Sequence, residues 1–306
     1  MKVKKEIYVI NSIPELHKTF GLPEPEHPLI SINGLITPQS FEKLNGKPVI
    51  YNFYSICIKK NFSGKVKYGQ TRYDHDGGVL SFYAPGQVIA TEISDEDGAM
   101  GDWLIFHPDL LMSYPLHTKI KEYGYFSYSL NEALHLSAKE EQVMENIWTD
   151  IKQEYQQNID SFSQDVIVSH LDLLLNYSNR FYNRQFITRK KVNNDMLAKF
   201  EDQLNHYFAS EDTLKSGLPT VQYFSDRLFV SAQYLSDLLK SISGMTTQQH
   251  IHHKLIEVAK EKLMGTNLSV AQIAYELGFE YPQSFNKLFK NKVGMSPNEY
   301  RDSSLN

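Results

Sequence analysis

The sequence predicts an α+β protein, with a β-rich N-terminal part followed by helices and an all-α C-terminal part. Three observations lead there. From Val49 to about Ser129, short runs rich in Val, Ile, Tyr and Phe alternate with turn residues. After Leu136 the apolar residues recur at helical spacing. The C-terminal part then repeats itself at an offset of 50.

At 306 residues the chain is long enough for two domains, and 41% hydrophobic with 22% charged residues is a globular composition. Cys57 is the single cysteine, which excludes an intramolecular disulfide and fits a reducing cytosol. No apolar run approaches the roughly eighteen residues of a membrane span. The opening MKVKKEIYVINSIPEL is basic, but its apolar stretch is cut by Asn11 and Pro14, so no signal peptide is expected. A cytoplasmic protein with no membrane partner follows. Residues 1–186 carry 17 basic and 23 acidic side chains, and residues 187–306 carry 14 and 13, leaving balances of −6 and +1. Net charge alone therefore does not point to nucleic acid.

Residues before Val49, with prolines at 14, 23, 25, 28, 38 and 48, read as an extended lead-in. The strand runs are VIYNFYSICIKK, GKVKYGQ, GGVLSFYAP, QVIATEIS and DWLIFHP, with turn signals at Ser63-Gly64, Gly77-Gly78, Pro85-Gly86 and Gly98. Such spacing fits a sandwich or barrel. Its aromatics Tyr51, Phe53, Tyr54, Phe82, Tyr83, Trp103 and Phe106 serve as core or line a ligand pocket.

Ser137 with Glu140 forms a capping box that opens a helix carrying Val143, Ile147 and Ile151 on one face. A second helix from about Gln164 carries Val166, Ile167, Leu171, Leu174, Leu175 and Phe181. These two helices either cover the strand domain or pair with a second subunit. The short basic stretch 187–192 reads as a linker. The domains expected are thus 1–136 (β-rich), 137–186 (helical extension), 187–192 (linker) and 193–306 (helical).

In the repeat, VQYFSDRLFVSAQYLSDLLKSISGMT from Val221 lies over AQIAYELGFEYPQSFNKLFKNKVGMS from Ala271. Gln222 meets Gln272, Phe229 meets Phe279, Gln233 meets Gln283, and Gly244 meets Gly294 without a gap. Each copy reads as a helix of about two turns, a turn, and a second helix, the layout of a helix-turn-helix. Gly278 stands where the first helix must stop, and Phe279 is expected to pack back between the helices. Thr220 and Ser231 suit N-caps, while Ser269 with Gln272, Thr246 with Gln249 and Ser296 with Glu299 form capping boxes, the last followed by Pro297.

By face, the second helix of the first copy turns Leu235, Leu238 and Leu239 inward and Gln233, Ser236, Asp237 and Lys240 outward. In the second copy Phe285, Leu288 and Phe289 turn inward, and Gln283, Asn286, Lys287 and Lys290 outward. Amides and lysines are side chains that bond purine edges in the major groove. A helix through QQHIHHKLIEVAKEKLMGTN, with Ile251, Leu255, Val258 and Leu263 inside, would separate the two recognition helices. One polypeptide would then read two adjacent segments of double-stranded DNA.

The tandem motif, the linking helix and the block IAYELGFEYPQSFNKLFKNKVGMSPNEYR resemble the DNA-binding domain of AraC/XylS-type transcription regulators, over about residues 193–302. The residues that carry the resemblance are Ile273, Ala274, Gly278, Phe279, Phe285, Phe289, Lys290, Gly294, Pro297 and Tyr300. The resemblance implies sequence-specific DNA binding, control of transcription and contact with RNA polymerase. Family base contacts fall on Gln233, Ser236 and Asp237 and on Gln283, Asn286 and Lys287. Asp237 departs from the pattern, since many relatives carry a basic residue there. The family's other domain usually senses a small-molecule effector in a cupin-like barrel and contributes a dimer interface. For residues 1–136 that implies a cupin-like regulatory domain, for 137–186 a homodimer contact, and no residues of an effector site can be named.

Two other classes stay open. A cupin-type metal enzyme with an appended helical domain would need clustered ligands, but His75, His107 and His117 are scattered. His250, His252 and His253 lie on the linking helix, where side chains at i and i+2 diverge. No Gly-rich phosphate loop or Ser nucleophile elbow is present. Neither catalysis nor a metal or other cofactor is expected. A helical protein-interaction module without DNA binding is the second alternative, and the salt dependence of affinity separates it from a DNA binder.

Overall fold

The computed structural model describes residues 7–33, 44, 47–59, 66–68, 71–73, 78–90, 101–129, 132–188, 190–210 and 212–303. The turn signals at Ser63-Gly64, Gly77 and Gly98, and the histidine His75, lie outside the described residues. The chain divides into two compact units, Met1–Gln185 and Phe186–Asn306.

The first unit is built on β-sheets. Its strands are β1 (Tyr8–Ile10), β2 (Ile30–Asn33), β3 (Pro48–Tyr51), β4 (Tyr54–Lys59), β5 (Val66–Tyr68), β6 (Thr71–Tyr73), β7 (Val79–Tyr83), β8 (Val88–Ala90), β9 (Asp102–Phe106) and β10 (Leu134–His135). A five-stranded antiparallel sheet runs β10-β7-β4-β9-β2, a three-stranded sheet runs β1-β3-β8, and β5 pairs with β6. Among the described residues these sheets stay open, and no closed barrel forms.

The lead-in is not simply extended. It contains β1, β2 and the helix α1 (Ile13–Phe20). Ser12 caps α1 by accepting from Glu15 N, and Glu15 Oε2 in turn accepts from Asn11 N at 2.8 Å. Pro14 sits in the first turn, where its missing N–H costs nothing. The prolines masked a Ser-x-x-Glu signature that marks a helix start. Ile13, Leu16 and Phe20 of α1 pack with Val49, Tyr51, Phe53, Trp103 and Ile105 in one core. Burying each such side chain stabilises the unit by roughly 1.5–3 kcal/mol.

A second aromatic cluster joins Tyr54, Phe82, Phe106 and Phe126, with the Tyr54 and Phe106 rings stacked at 5.3 Å. Six of the seven strand aromatics are thus buried, and only Tyr83 is partly exposed. The helix α2 (Leu116–Lys119) follows β9. The helix α3 (Ala138–Tyr155) opens with the Ser137/Glu140 box and buries Met144, Ile147, Trp148, Ile151 and Tyr155. The 26-residue α4 (Ser163–Thr188) buries Ile167, Leu171, Leu174, Leu175 and Phe181.

The segment 187–192, expected as a linker, is helical wherever it is described: α4 continues to Thr188 and α5 (Lys190–Ala209) starts two residues later. Its Thr, Lys and Val residues carry no helix-breaking chemistry. The second unit continues with α6 (Asp212–Ser216), α7 (Val221–Leu228), α8 (Ala232–Ser243), α9 (Thr247–Gly265), α10 (Val270–Glu276), α11 (Pro282–Val293) and α12 (Pro297–Ser303). Its core draws Phe200, Leu204 and Tyr207 from α5 and Phe224, Leu235, Leu239, Ile251 and Leu255 from α7 to α9. The linking helix α9 has 19 residues, about 28 Å of rise. It buries Ile256 and Ala259 rather than Val258, which is half-buried.

Candidate nucleic-acid interface

Two helix pairs, α7 with α8 and α10 with α11, form the candidate interface. The starts of α7 to α10 are fixed by the caps the sequence indicates, while α11 begins at Pro282 without a side-chain cap. Thr220, Ser231, Thr246 and Ser269 each accept a backbone N–H two or three residues into the helix they cap. Ser296 and Glu299 bond each other's backbone N–H, at 3.3 and 2.6 Å. Each such cap contributes about 1 kcal/mol.

The gap-free repeat requires a correction. The cap Thr220 corresponds to Ser269, the buried pair Phe224-Ser225 to Ile273-Ala274, and Leu228 to Leu277, all at an offset of 49 rather than 50. The second helices α8 and α11 correspond at 50. The turn of the second motif therefore holds one more residue. In place of Gly278, the first motif puts Phe229 in the left-handed conformation, at φ 58° and 83% exposed. Phe279 does pack between its helices, with its ring 5.5 Å from Phe285, but its structural counterpart is Val230, not Phe229.

Gly278 has two reasons to be glycine. Its φ is +90°, and a Cβ there would lie 2.6 Å from Gly217 C, 2.8 Å from Gly217 O and 2.9 Å from Leu218 N. The α6–α7 turn is pressed against the turn of the second motif, with one hydrogen bond joining α6 to the end of α10 and another joining the turn to α5. The Thr213 hydroxyl donates to Glu276 O at 2.8 Å, and the Tyr207 hydroxyl donates to Gly217 O at 3.0 Å. No local pattern around Gly217 announces this contact. Behind α11, Phe285 and Phe289 are fully buried, Leu288 is half-buried, and Tyr300 of α12 meets Phe289 edge-on at 5.6 Å. Arg301 donates to Leu263 O and Leu268 O at 3.0 and 2.7 Å, tying α12 to the end of α9.

The outward side chains differ between the two recognition helices. On α11, Gln283, Asn286, Lys287 and Lys290 are all exposed. Among the described residues, Gln283, Asn286 and Lys287 have no hydrogen-bond or ion-pair partner. On α8, Gln233 and Lys240 are exposed while Ser236 and Asp237 are half-buried. Gln233 Nε2 donates to both carboxylate oxygens of Asp237 at 3.2 Å. The Ser236 hydroxyl donates to Thr247 Oγ1 at 3.2 Å, linking α8 to the first turn of α9.

The three neighbouring histidines of α9 have separate surroundings. His250 is buried, its Nε2 is 2.8 Å from Ser243 Oγ, and burial holds its pKa below 6.5. His252 meets Gln248 at 2.9 Å and is likewise lowered by burial, with Lys292 adding to the effect. His253 faces Glu257 at 3.6 Å. In the first unit, His107 Nδ1 accepts from Asp109 N at 3.3 Å, and His117 lies in α2. Among the described residues no group of three or more His, Cys, Asp or Glu is placed to share a metal, and no helix is long and apolar enough to cross a membrane.

Residues 224–303 match the family model of a helix-turn-helix domain. The chain is 30% identical over 106 residues to the HTH-type transcriptional activator RhaS of Escherichia fergusonii, covering 34% of this chain and 38% of that one. It is 38% identical over 68 residues to the HTH-type transcriptional activator AarP of Providencia stuartii, covering 22% and 50%. It is 32% identical over 98 residues to the HTH-type transcriptional regulator YisR of Bacillus subtilis, covering 32% of each. The chain thus spans half or less of the length of each of these relatives.

Proposed function

We infer that this chain, whose C-terminal domain is of the AraC/XylS family, is a sequence-specific DNA-binding regulator of transcription. The observation that carries this is α11: a glycine-aimed helix, started by Pro282, that exposes Gln283, Asn286, Lys287 and Lys290 on the side opposite its phenylalanine core. In the major groove such amides match adenine, and lysines match guanine O6 and N7. With α8 as a second reader, one chain would engage two adjacent major-groove segments of double-stranded DNA.

The first unit is the regulatory part, a cupin-like sensor of a small-molecule effector. A homodimer contact through 137–186 is supported by α4, which exposes Val166 and Leu173 seven residues apart on one face, with Phe162 exposed just before its start. RNA polymerase is the further partner, the cytoplasm the place of action, and no catalytic role is assigned.

Transcript profiles of cells carrying the wild-type chain or an Asn286→Ala/Lys287→Ala variant test the function. Changes confined to genes beside bound sites support it. Identical profiles from wild-type, double-variant and deletion cells overturn it.

A further inference from the structure

The two recognition helices carry the same glutamine against opposite charges. Gln233 and Asp237 on α8 correspond, at the offset of 50, to Gln283 and Lys287 on α11. On α8 the pair is closed, since both contacts from Gln233 Nε2 go to the Asp237 carboxylate. The direction of that amide is dictated by chemistry. A carboxylate only accepts, and a flipped amide would set Oε1 against two like partial charges. The amide donors are therefore turned along the helix toward Asp237, and Gln233 Oε1 is the atom left to face outward.

We propose that, in DNA binding, Asp237 is a specificity-determining residue that makes the Gln233–Asp237 pair of α8 an acceptor-only reader. Gln233 Oε1 and the carboxylate lone pairs match the amino groups of cytosine N4 and adenine N6. They repel guanine N7 and O6 and thymine O4, which are acceptors themselves. The two-bond grip of a free glutamine on adenine needs the amide donors that Asp237 holds. On α11, Lys287 occupies the position of Asp237, so the same place in the second half-element favours guanine. The target is accordingly asymmetric: an amino-presenting base under α8, and guanine under α11.

The test is selection from a randomised duplex library by the full chain, as wild type, Asp237→Ala and Asp237→Lys. In the wild-type selection, one position of one half-element should favour cytosine or adenine over guanine by about tenfold, the scale of one good base contact. Asp237→Ala should reduce that preference to within about threefold, and Asp237→Lys should turn it toward guanine. Unchanged selection of the other half-element in both variants would show that they remain folded.

Retention of two half-elements with the same preferences in both variants overturns the inference while leaving DNA binding intact. So does a uniform rise in affinity at unchanged preferences, which would make Asp237 a repeller of the phosphate backbone. Failure of the wild type to enrich any shared site overturns the DNA-binding reading on which the inference rests, and the inference with it.

Discussion

Alanine at Gly278 and alanine at Gly244 probe two different costs. Both glycines have positive φ, +90° and +79° respectively. A Cβ at Gly244 would meet nothing within 4 Å, so Gly244→Ala carries only the left-handed strain, about 1–2 kcal/mol. At Gly278 the same strain is joined by a clash with backbone at 2.6 Å. Relief requires the α6–α7 turn to retreat by roughly 0.8 Å to reach ordinary contact, an overpacking cost of about 1–3 kcal/mol. That retreat also loosens the Tyr207–Gly217 and Thr213–Glu276 hydrogen bonds, each worth about 0.5–1.5 kcal/mol. Gly278→Ala should therefore cost about 3–5 kcal/mol, a large share of the 5–15 kcal/mol typical of a domain, and Gly278→Val more. Urea unfolding followed by far-ultraviolet circular dichroism measures both variants. Trp103 and Trp148, the chain's two tryptophans, lie in the first unit, so their fluorescence reports that unit separately and should not shift. Equal destabilisation by the two alanines, within about 0.5 kcal/mol, would refute the close-approach reasoning.

Further perturbations separate the remaining claims. Lys287→Ala should weaken binding to a selected duplex by about 1–3 kcal/mol and relax preference at one base pair, read by fluorescence anisotropy on single-base variants of the site. Unchanged affinity and preference would misplace the second recognition helix. Phe229→Gly should raise the stability of the C-terminal domain by about 0.5–1 kcal/mol, because an exposed left-handed phenylalanine gives up strain and little buried area. A lower urea midpoint would show that the Phe229 ring packs in solution. For His250, burial lowers the folded pKa below 6.5, His253 acts in the same direction and Glu201 opposes it. The unfolded chain then binds the proton first as pH falls. Stability is full above 6.5 and declines through the window between 6.5 and the lowered folded value. His250→Asn should flatten the decline in urea midpoint across that window, leaving the share due to His252, and an unchanged slope would contradict the assignment.

What the sequence made legible was mostly local chemistry. Thr220, Ser231, Thr246 and Ser269 are caps whose partners lie within three residues, so composition alone locates the helix starts. Gly278 was likewise readable as a helix stop, but its closeness to Gly217 arises from chain segments 61 residues apart and leaves no local trace. The repeat misled at one point. Identical phenylalanines at 229 and 279 outweighed the caps, although the caps at Thr220 and Ser269 already implied an offset of 49 in the first helix. In the first unit, β2 and β10 are short and gain their identity from pairing with β9 and β7, which residue type does not encode. The Gln233–Asp237 bond is a spacing of four on one helix face. It was open to prediction once helix α8 was placed, and its consequence for base choice was not.

Selection of fragments from sheared genomic DNA by the purified full chain, at two salt concentrations, tests tandem major-groove reading most directly. The expected result is a shared site with two half-elements one helical turn apart, about 10 base pairs, whose recovery falls steeply at the higher salt. A shared site with a single half-element, or recovery indifferent to both sequence and salt, would contradict it.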